Sequence, residues 1–125
     1  MPRLFLIAIL LSLLLAACAD SAQPEDAVLP YLEALLNSDD DAYYQYVCPE
    51  WEAEAKRDFD AFTGVSGKLH DAQCTQVGTE DDMTLVTCTG TMELNYNGEL
   101  RTRDLASQTY YVTKSGGEWK VCGYQ

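Results

Sequence analysis

The sequence has few of the residues that build metal, nucleic-acid or transmembrane sites. Its 125 residues include one histidine, His70, and only 8 lysines and arginines against 20 aspartates and glutamates. No two cysteines have the C-x-x-C spacing of a compact metal or redox motif. The longest apolar run, Leu4 to Leu15, would span ~18 Å as a helix, well short of the ~30 Å hydrocarbon core of a bilayer. We therefore expect no metal, no cofactor, no nucleic acid and no permanent transmembrane helix.

The N-terminal residues have the layout of a secretory signal. Arg3 precedes the apolar run, and the run ends at Leu15-Ala16-Ala17-Cys18. These four residues resemble the lipobox of bacterial lipoproteins, in which the cysteine receives diacylglycerol and becomes the first residue of the mature protein. The resemblance implies a signal peptide at 1–17, a lipidated Cys18 carrying fatty acids such as palmitate, and attachment to the cell membrane or envelope on the extracytoplasmic side. An ordinary cleavage site remains the alternative, and the membrane or leaflet is left open.

Cleavage before Cys18 makes the chain still more acidic. It removes Arg3 and no acidic residue, so seven basic residues face 20 acidic ones and the net charge becomes −13. Such a surface repels nucleic acid and anionic headgroups and keeps a tethered domain in solution. Attraction of a cationic ligand or a basic partner is the second interpretation. Residues 18–23 are expected to form the lipidated cysteine and tether, and 24–125 one domain.

Three amphipathic helices are predicted at the start of this domain. Apolar residues recur at helical spacing after Pro24, and Pro30 is expected to kink the first helix near Asp26. Ser38 and Asp41 resemble a capping box that starts the second helix. The third helix begins at a proline, and Gly64 closes it. The helices are expected over 24–36, 38–47 and 49–63.

Alternation and β-branched residues after Gly67 predict four antiparallel strands. A three-residue loop ending at Gly98 would place Leu94 opposite Leu100, whereas a two-residue loop would place it opposite Arg101, and we favour the first. The long third strand is expected to contain a bulge near 104–106. The strands are predicted at 68–77, 83–96, 99–114 and 118–124, with turns at 78–82, 97–98 and 115–117.

Four cysteines besides Cys18 predict two disulfides, with three pairings to choose from. Symmetry about Asp81 in the first hairpin places Cys74 opposite Cys88, within disulfide range. Cys48, at the end of the second helix, then pairs with Cys122 in the last strand.

The whole pattern resembles the nuclear-transport-factor-2-like group of cystatin-like folds. Small lipoproteins with a lumazine-binding-like domain of unknown function show a similar opening at residues 24–35, an Asp-Asp-Ala-Tyr helix start and a final Trp119-Lys120-Val121 strand. The resemblance implies an α+β fold in which three N-terminal helices pack on a curved four-stranded meander, a cone-like roll. The short strand that the wider group has between its second and third helices is not evident here. The open end of such a cone takes an apolar ligand, a protein partner or a second copy of the chain.

Catalysis in this fold would need a carboxylate base beside a tyrosine donor in an apolar pocket. Asp71 and Asp104 are the candidate acids, and His70 is a weaker candidate base with no second histidine to assist it. The acidic runs 39–41 and 80–82 lack the alternating ligands of a calcium loop and are interpreted as a helix start and a turn. The candidate tyrosines are Tyr43, Tyr44, Tyr46, Tyr96, Tyr110 and Tyr111.

Two functional classes follow from these residues. In the first, the cone mouth or the sheet face of Tyr110, Val112, Trp119 and Val121 receives an apolar molecule or a partner protein, so the chain is a binding or interaction module. In the second, the chain is a small isomerase or hydrolase that uses a buried acid and a tyrosine. A roomy pocket with an acid beside a tyrosine favours the enzyme, and a pocket filled by aromatic side chains favours the module.

Overall fold

The computed structural model describes residues 21–125, and the predicted lipidation site at Cys18 lies outside them. Three α-helices come first, as the sequence indicates. A 3-10 turn at Pro24–Ala27 leads into α1, and a second 3-10 turn at Pro49–Trp51 leads into α3. The helices are α1 (Val28–Leu36), α2 (Asp40–Gln45) and α3 (Glu52–Ala61). Pro30 lies in the first turn of α1, and near Asp26, where a kink was expected, the chain changes from 3-10 to α geometry.

The start of α2 differs from the prediction. Asp39, not Ser38, is the N-cap residue, and its carboxylate accepts a hydrogen bond of 3.1 Å from the backbone N–H of Ala42. Ser38 has a φ of 53° in the left-handed region. It therefore belongs to the tight turn between α1 and α2, and a carboxylate one residue later performs the capping.

The sheet has five antiparallel strands rather than four. They are β1 (Val65–Glu80), β2 (Met83–Tyr96), β3 (Glu99–Asp104), β4 (Thr109–Ser115) and β5 (Glu118–Tyr124). The predicted third strand is divided into β3 and β4 by a 3-10 turn at Leu105–Ser107, where a bulge was expected. Because Leu105 is buried and Asp104 caps the turn, the chain leaves the ladder here instead of bulging. The order is β1-β2-β4-β5, and β3 pairs with the second half of β2.

The loop between β2 and β3 has two residues, so the favoured three-residue loop was wrong. Asn97 and Gly98 both have positive φ, 53° and 94°, and Leu94 lies opposite Arg101. Asparagine tolerates the left-handed conformation, so Asn-Gly closes the tight hairpin turn directly. The side chain of Asn95 also accepts a hydrogen bond from the Gly98 N–H.

The loop between β1 and β2 is also shorter than the predicted five residues. Asp81 and Asp82 form a two-residue turn with φ of 47° and 64°, and Glu80 pairs with Met83. A register shift at Val77 then moves the pairing by one residue, which places Cys74 opposite Cys88. The structure contains the Cys74–Cys88 disulfide at this position, with a Cα–Cα distance of 4.0 Å.

The long hairpin of β1 and β2 is irregular at Gly90. The register of β1 shifts between His70 and Gln73, and Asp71 there has a φ of 51°. Gly90 has a φ of 101°, and a Cβ at this position would lie 2.6 Å from the backbone oxygens of both His70 and Asp71. On its other side β2 changes partner from β4 to β3 near the same residue. A bulge bends its strand, so the hairpin bends where only glycine fits.

One apolar core lies between the helices and one face of the sheet. Helix α1 contributes most of its length to this core, and among residues 21–125 no polar or charged residue is buried. The largest fully buried side chains are Tyr31, Tyr43, Tyr110, Leu94, Val28, Val86, Val112 and Val121. The core therefore combines aliphatic sheet residues with tyrosines from helices and sheet.

The two outer strands of the four-strand path, β1 and β5, differ in whether another segment pairs with their outer edge. Val47 forms a parallel bridge to Val121, because the Cys48 N–H donates to the Val121 oxygen and the Val121 N–H donates to the Tyr46 oxygen. The segment between the second and third helices, which showed no strand signal, therefore covers the β5 edge. Beside it the Cys48–Cys122 disulfide joins helices to sheet. Within the described residues no segment pairs with the outer edge of β1.

Candidate functional site

The interior in which a fold of this kind could receive a ligand is filled by aromatic rings. The ring of Tyr31 from α1 stacks on Tyr43 from α2 with centroids 5.0 Å apart, and Tyr43 packs on Phe59 at 4.9 Å. The ring centroids of Trp51 and Tyr110 lie 6.2 and 6.3 Å, respectively, from that of Tyr31. Because close-packed rings leave no room for a substrate-sized molecule, this region is core rather than pocket.

The buried phenol groups of this cluster are engaged with each other and with backbone. Tyr43 donates a hydrogen bond of 2.9 Å to the carbonyl oxygen of Ala55, and the Tyr31 and Tyr43 hydroxyls lie 3.4 Å apart. Burial raises the pKa of both tyrosines well above the usual value of 10.0. Within residues 21–125 no buried side-chain nitrogen or oxygen lacks a partner. These phenols are therefore neutral at physiological pH, and their hydroxyls have hydrogen-bond partners within the protein.

An acid lies beside a tyrosine at the rim of the cluster. Tyr124 in β5 donates a hydrogen bond of 2.8 Å to a carboxylate oxygen of Asp58 in α3. Burial, followed by this hydrogen bond and the charge of Asp58, raises the pKa of Tyr124 to about 12. Burial raises the pKa of Tyr110, in the same hollow, to about 12 as well. The hollow has a volume of about 70 Å³, well below the roughly 300–1,000 Å³ of pockets that bind small molecules.

Sequence reasoning did not single out the Asp58–Tyr124 pair. The two residues lie 66 positions apart and belong to a helix and a strand whose packing no local pattern specifies. The acids that were singled out lie elsewhere. Asp71 is exposed at the bulge of β1, and Asp104 is exposed and caps the 3-10 turn through the N–H of Ala106.

The remaining candidates for chemistry are surface or structural groups. His70 is exposed, and its Nε2 lies 3.8 Å from a carboxylate oxygen of Glu93. Asp39 is a helix cap, and Asp81 with Asp82 forms a turn, as interpreted from the sequence. The other candidate tyrosines are half-buried at the margin of the domain: Tyr44, Tyr46, Tyr96 and Tyr111.

The sheet face proposed as a docking surface is closed. Tyr110, Val112 and Val121 are at most 1% exposed because the helices cover them. Trp119, the fourth member of that set, is half-buried and packs against the margin of the core. The alternative in which this sheet face receives a ligand or partner was therefore wrong, since alternation along a strand identifies a buried face without identifying what covers it. The alternative of the cone mouth stays a prediction.

Accessible concave space lies outside the core in two shallow depressions. The first, which we name the tether groove, has a volume of about 470 Å³. It lies between residues 21–27, the end of α2 and the β4–β5 hairpin, and Trp119 and Lys114 line it. Trp119 donates a hydrogen bond of 2.9 Å from its indole N–H to the carbonyl oxygen of Ala22.

The second depression, which we name the disulfide cleft, lies beside Cys48–Cys122 and has a volume of about 590 Å³. Cys48, Glu50 and Cys122 present sulfur and carboxylate atoms within 4.8 Å of one another. Both sulfurs belong to the disulfide, so they are not thiolate ligands. The rest of the lining is mixed: Trp51, Glu54, Asp81, Asp82, Met83, Thr113, Lys114 and Ser115.

Two further observations bear on where the chain works. Across residues 21–125, no helix combines the length and the apolar character needed to cross a membrane. The two disulfides are consistent with an extracytoplasmic location, where such bonds form and persist.

Comparison with known proteins gives likeness in fold only. No protein-family model matches the chain, and no curated protein matches it significantly in sequence. Among solved structures it is similar to Bd1075 of Bdellovibrio bacteriovorus, with a TM-score of 0.53 and 14% identity over 78% of this chain and 37% of that one. It is also similar to the helical cell shape determining protein Pgp2 of Campylobacter jejuni, with a TM-score of 0.52 and 17% identity over 79% and 38%. The chain thus spans less than two fifths of the length of these proteins.

Proposed function

We propose that this chain is a bacterial lipoprotein whose domain serves as a binding or interaction module outside the cytoplasm, attached to the membrane through lipid on Cys18. The observation that supports a binding module over an enzyme is the filled interior. Aromatic rings occupy the space there, and every buried hydroxyl has a hydrogen-bond partner. An isomerase or hydrolase of this fold would need a cavity that admits its substrate. The hollow beside Asp58 and Tyr124 is too small for one.

The same proposal assigns the domain to the nuclear-transport-factor-2-like group, with the sheet wrapped around the helices as a cone. The irregularity of β1 opposite Gly90 and the change of partner along β2 support such curvature. The two similar bacterial proteins share the fold over part of their length. One of them is a helical cell shape determining protein, which supports the cell envelope as the setting proposed for this chain.

A partner would meet an acidic surface with a long unpaired strand edge. The proposed mature chain has a net charge of −13, which favours basic partners and speeds their encounter. The outer edge of β1 offers 16 residues of backbone for strand addition. A protein with an extended basic segment therefore fits this surface better than a small apolar ligand does.

The lipid anchor is tested on the full-length chain expressed in a bacterial host. We expect incorporation of labelled palmitate, accumulation of the precursor with globomycin, and fractionation with membranes. Cys18→Ser should abolish the label and release the domain, whereas Ala19→Ser, a matched neighbouring change, should not. A wild-type chain that takes up no palmitate, or a precursor insensitive to globomycin, would refute the anchor.

The module is tested separately by native mass spectrometry of the detergent-extracted protein. We expect the lipidated mass without a small-molecule adduct, and protein complexes after gentle cross-linking in cells. The alternative, an enzyme that uses Asp58 and Tyr124, predicts a retained small molecule that Asp58→Asn or Tyr124→Phe releases. Such an adduct would overturn the proposal in favour of the enzyme.

A further inference from the structure

The first described residues are fixed to the domain by two separate contacts. The indole N–H of Trp119, at the start of β5, donates to the Ala22 oxygen across 97 positions of sequence. The backbone N–H of Gln23 donates to a carboxylate oxygen of Asp26 at 2.8 Å, which anchors the same segment to the following 3-10 turn. From Ala22 onward the chain is therefore part of the folded domain rather than a free linker.

This attachment leaves very little chain between the domain and the proposed lipid. Four residue steps separate Cys18 from Ala22 in the sequence, and even fully extended they span at most ~14 Å. A lipid-bearing cysteine lies at the level of the headgroups, because its acyl chains enter the hydrocarbon. The surface around Ala22 must then lie within about this distance of the headgroup layer, and the domain has a defined side toward the membrane.

That side is the β4–β5 hairpin, which carries side chains suited to a headgroup layer. Trp119 is half-buried, Lys114 is exposed, and the Lys114 Nζ lies 5.6 Å from the centre of the Trp119 indole ring. Tryptophan and lysine both place an apolar body near lipid and a polar end in the wet interface. Glycines 116 and 117 form the hairpin tip, so no bulky side chain there keeps the indole from the surface.

Acidic groups near the hairpin decide which lipids fit. Glu118 is exposed beside Trp119, and the turn Asp81–Asp82 lines the neighbouring disulfide cleft together with Lys114. Asp26, in the tether groove, already accepts the hydrogen bond from Gln23. The hairpin carries two lysines, Lys114 and Lys120, and four carboxylates lie on or near it, so zwitterionic headgroups suit this side better than anionic ones, which the acids would repel.

We propose that the β4–β5 hairpin, through Trp119 and Lys114, lies against the zwitterionic headgroups of the membrane that holds the lipidated Cys18. The inference rests on the proposed lipidation and goes beyond it, since lipidation alone does not orient a domain. It assigns Trp119 two roles, attachment of the chain start through Ala22 and contact with headgroups.

The test uses the full lipidated chain in phosphatidylcholine vesicles that carry a nitroxide on the headgroup. The chain has two tryptophans, Trp51 and Trp119. We expect the nitroxide to quench the tryptophan fluorescence of the wild type strongly. The variant Trp119→Phe reports Trp51 alone, and we expect its fluorescence to be quenched only weakly. Trp51 is half-buried and lines the disulfide cleft together with Lys114, so its own quenching is measured in Trp119→Phe, and Trp51→Phe serves as a second variant in which Trp119 is observed directly.

Charge reversal gives a matched pair of controls. Lys114→Glu should lower the fraction of molecules in the quenched orientation, because it replaces a cation that can meet the headgroup phosphate with an acid, whereas Arg57→Glu on exposed α3 should leave it unchanged. Equal quenching of both tryptophans, or no quenching of Trp119 in vesicle-bound protein, would overturn the orientation while leaving the anchor intact. If the wild-type chain is recovered without palmitate and does not bind vesicles, the anchor and the orientation are overturned together.

Discussion

At the scale of single residues, the interior depends on phenol groups whose hydroxyls are paired. Tyr43 is fully buried, and its hydroxyl donates to the Ala55 carbonyl and approaches the Tyr31 hydroxyl. Its ring also packs on Phe59. This one side chain therefore links α2 to both α1 and α3.

Tyr43→Phe should destabilise the domain by about 1–3 kcal/mol, because the ring remains while the buried Tyr31 hydroxyl loses its hydrogen-bond partner and the Ala55 carbonyl keeps only its helical donor. Urea unfolding followed by near-ultraviolet circular dichroism measures the loss. Tyr111→Phe, on the half-buried margin, is the control and should change the midpoint little. Equal effects at the two positions would contradict the importance assigned to the buried hydrogen bond.

The tyrosines also predict a dependence of stability on alkaline pH. Burial is the main cause that raises the pKa of Tyr31, Tyr43, Tyr110 and Tyr124 above 10.0, and the last two reach about 12. Below pH 10 these phenols are protonated in folded and unfolded chains alike. Above it only the unfolded chain loses the protons, so stability is fully present below about pH 10 and falls as the pH rises toward 12.

Spectrophotometric titration of phenolate absorbance checks this expectation. Tyr31, Tyr43, Tyr110 and Tyr124 should resist ionisation at pH 10 in the native protein and titrate only as the domain unfolds, and burial raises the pKa of Tyr44 as well. In denaturant all eight tyrosines should titrate together. Native titration of all eight near pH 10 would show that the interior is more open than described.

At the scale of elements, the bend in the long hairpin depends on Gly90. Alanine there would need a positive φ and would also bring its Cβ to 2.6 Å from two backbone oxygens of β1. Gly64, after α3, shares a positive φ of 81° but has nothing within 4 Å of the added atom. Alanine substitutions at the two positions therefore distinguish the free-energy cost of a left-handed backbone from the additional cost of steric crowding.

Gly64→Ala should cost about 1 kcal/mol, the penalty for a left-handed alanine, and Gly90→Ala about 3 kcal/mol or more because β1 must also move. Thermal and chemical unfolding of both variants gives the comparison. A Gly90 variant as stable as the Gly64 variant would show that the hairpin adapts to the added methyl group.

The elements also show how far sequence patterns reach. Periodicity and turn residues predicted three helices and an antiparallel sheet, since these signals are local. The positions of turns were less accurate, because Asp81–Asp82 and Asn97–Gly98 form tighter turns than expected. Symmetry about Asp81 implied too long a loop and no bulge at Val77, and because these two errors cancel, Cys74 still lies opposite Cys88.

The site was less accessible to sequence reasoning than the fold. Asp58 with Tyr124 and Trp119 with Ala22 are contacts between distant parts of the chain, formed only when helices and strands pack. The covering of Val121 by Val47 is of the same kind, because a single bridge has no periodic pattern. Alternation identified Tyr110, Val112 and Val121 as one face but did not show that the face is internal.

At the scale of the whole molecule, two disulfides close loops of very different size. Cys48–Cys122 spans 74 positions and joins the helical half to the last strand, whereas Cys74–Cys88 spans 14 positions within one hairpin. In the chain-entropy model the longer loop restricts the unfolded chain more. The first bond should therefore matter more for stability.

Replacing Cys48 and Cys122 by alanine should cost about 4.5 kcal/mol, and replacing Cys74 and Cys88 about 3 kcal/mol. Unfolding of the two double variants measures the difference, and peptide mapping of the unreduced wild type verifies the pairs. The reverse order of stability would contradict the loop argument. A Cys48–Cys74 peptide would contradict the pairing itself.

The unequal edges of the sheet limit how copies of the domain can associate. Tyr46–Cys48 occupies the β5 edge, and β3 offers only six residues, four of them charged. Within the described residues β1 is the one long edge with free backbone groups. When two copies pair through their β1 strands, both β1 edges are occupied. Neither copy then has another long free edge with which a third copy could pair. Backbone pairing between copies thus ends at a closed pair and does not propagate into a fibre, a useful property for a protein concentrated on a surface.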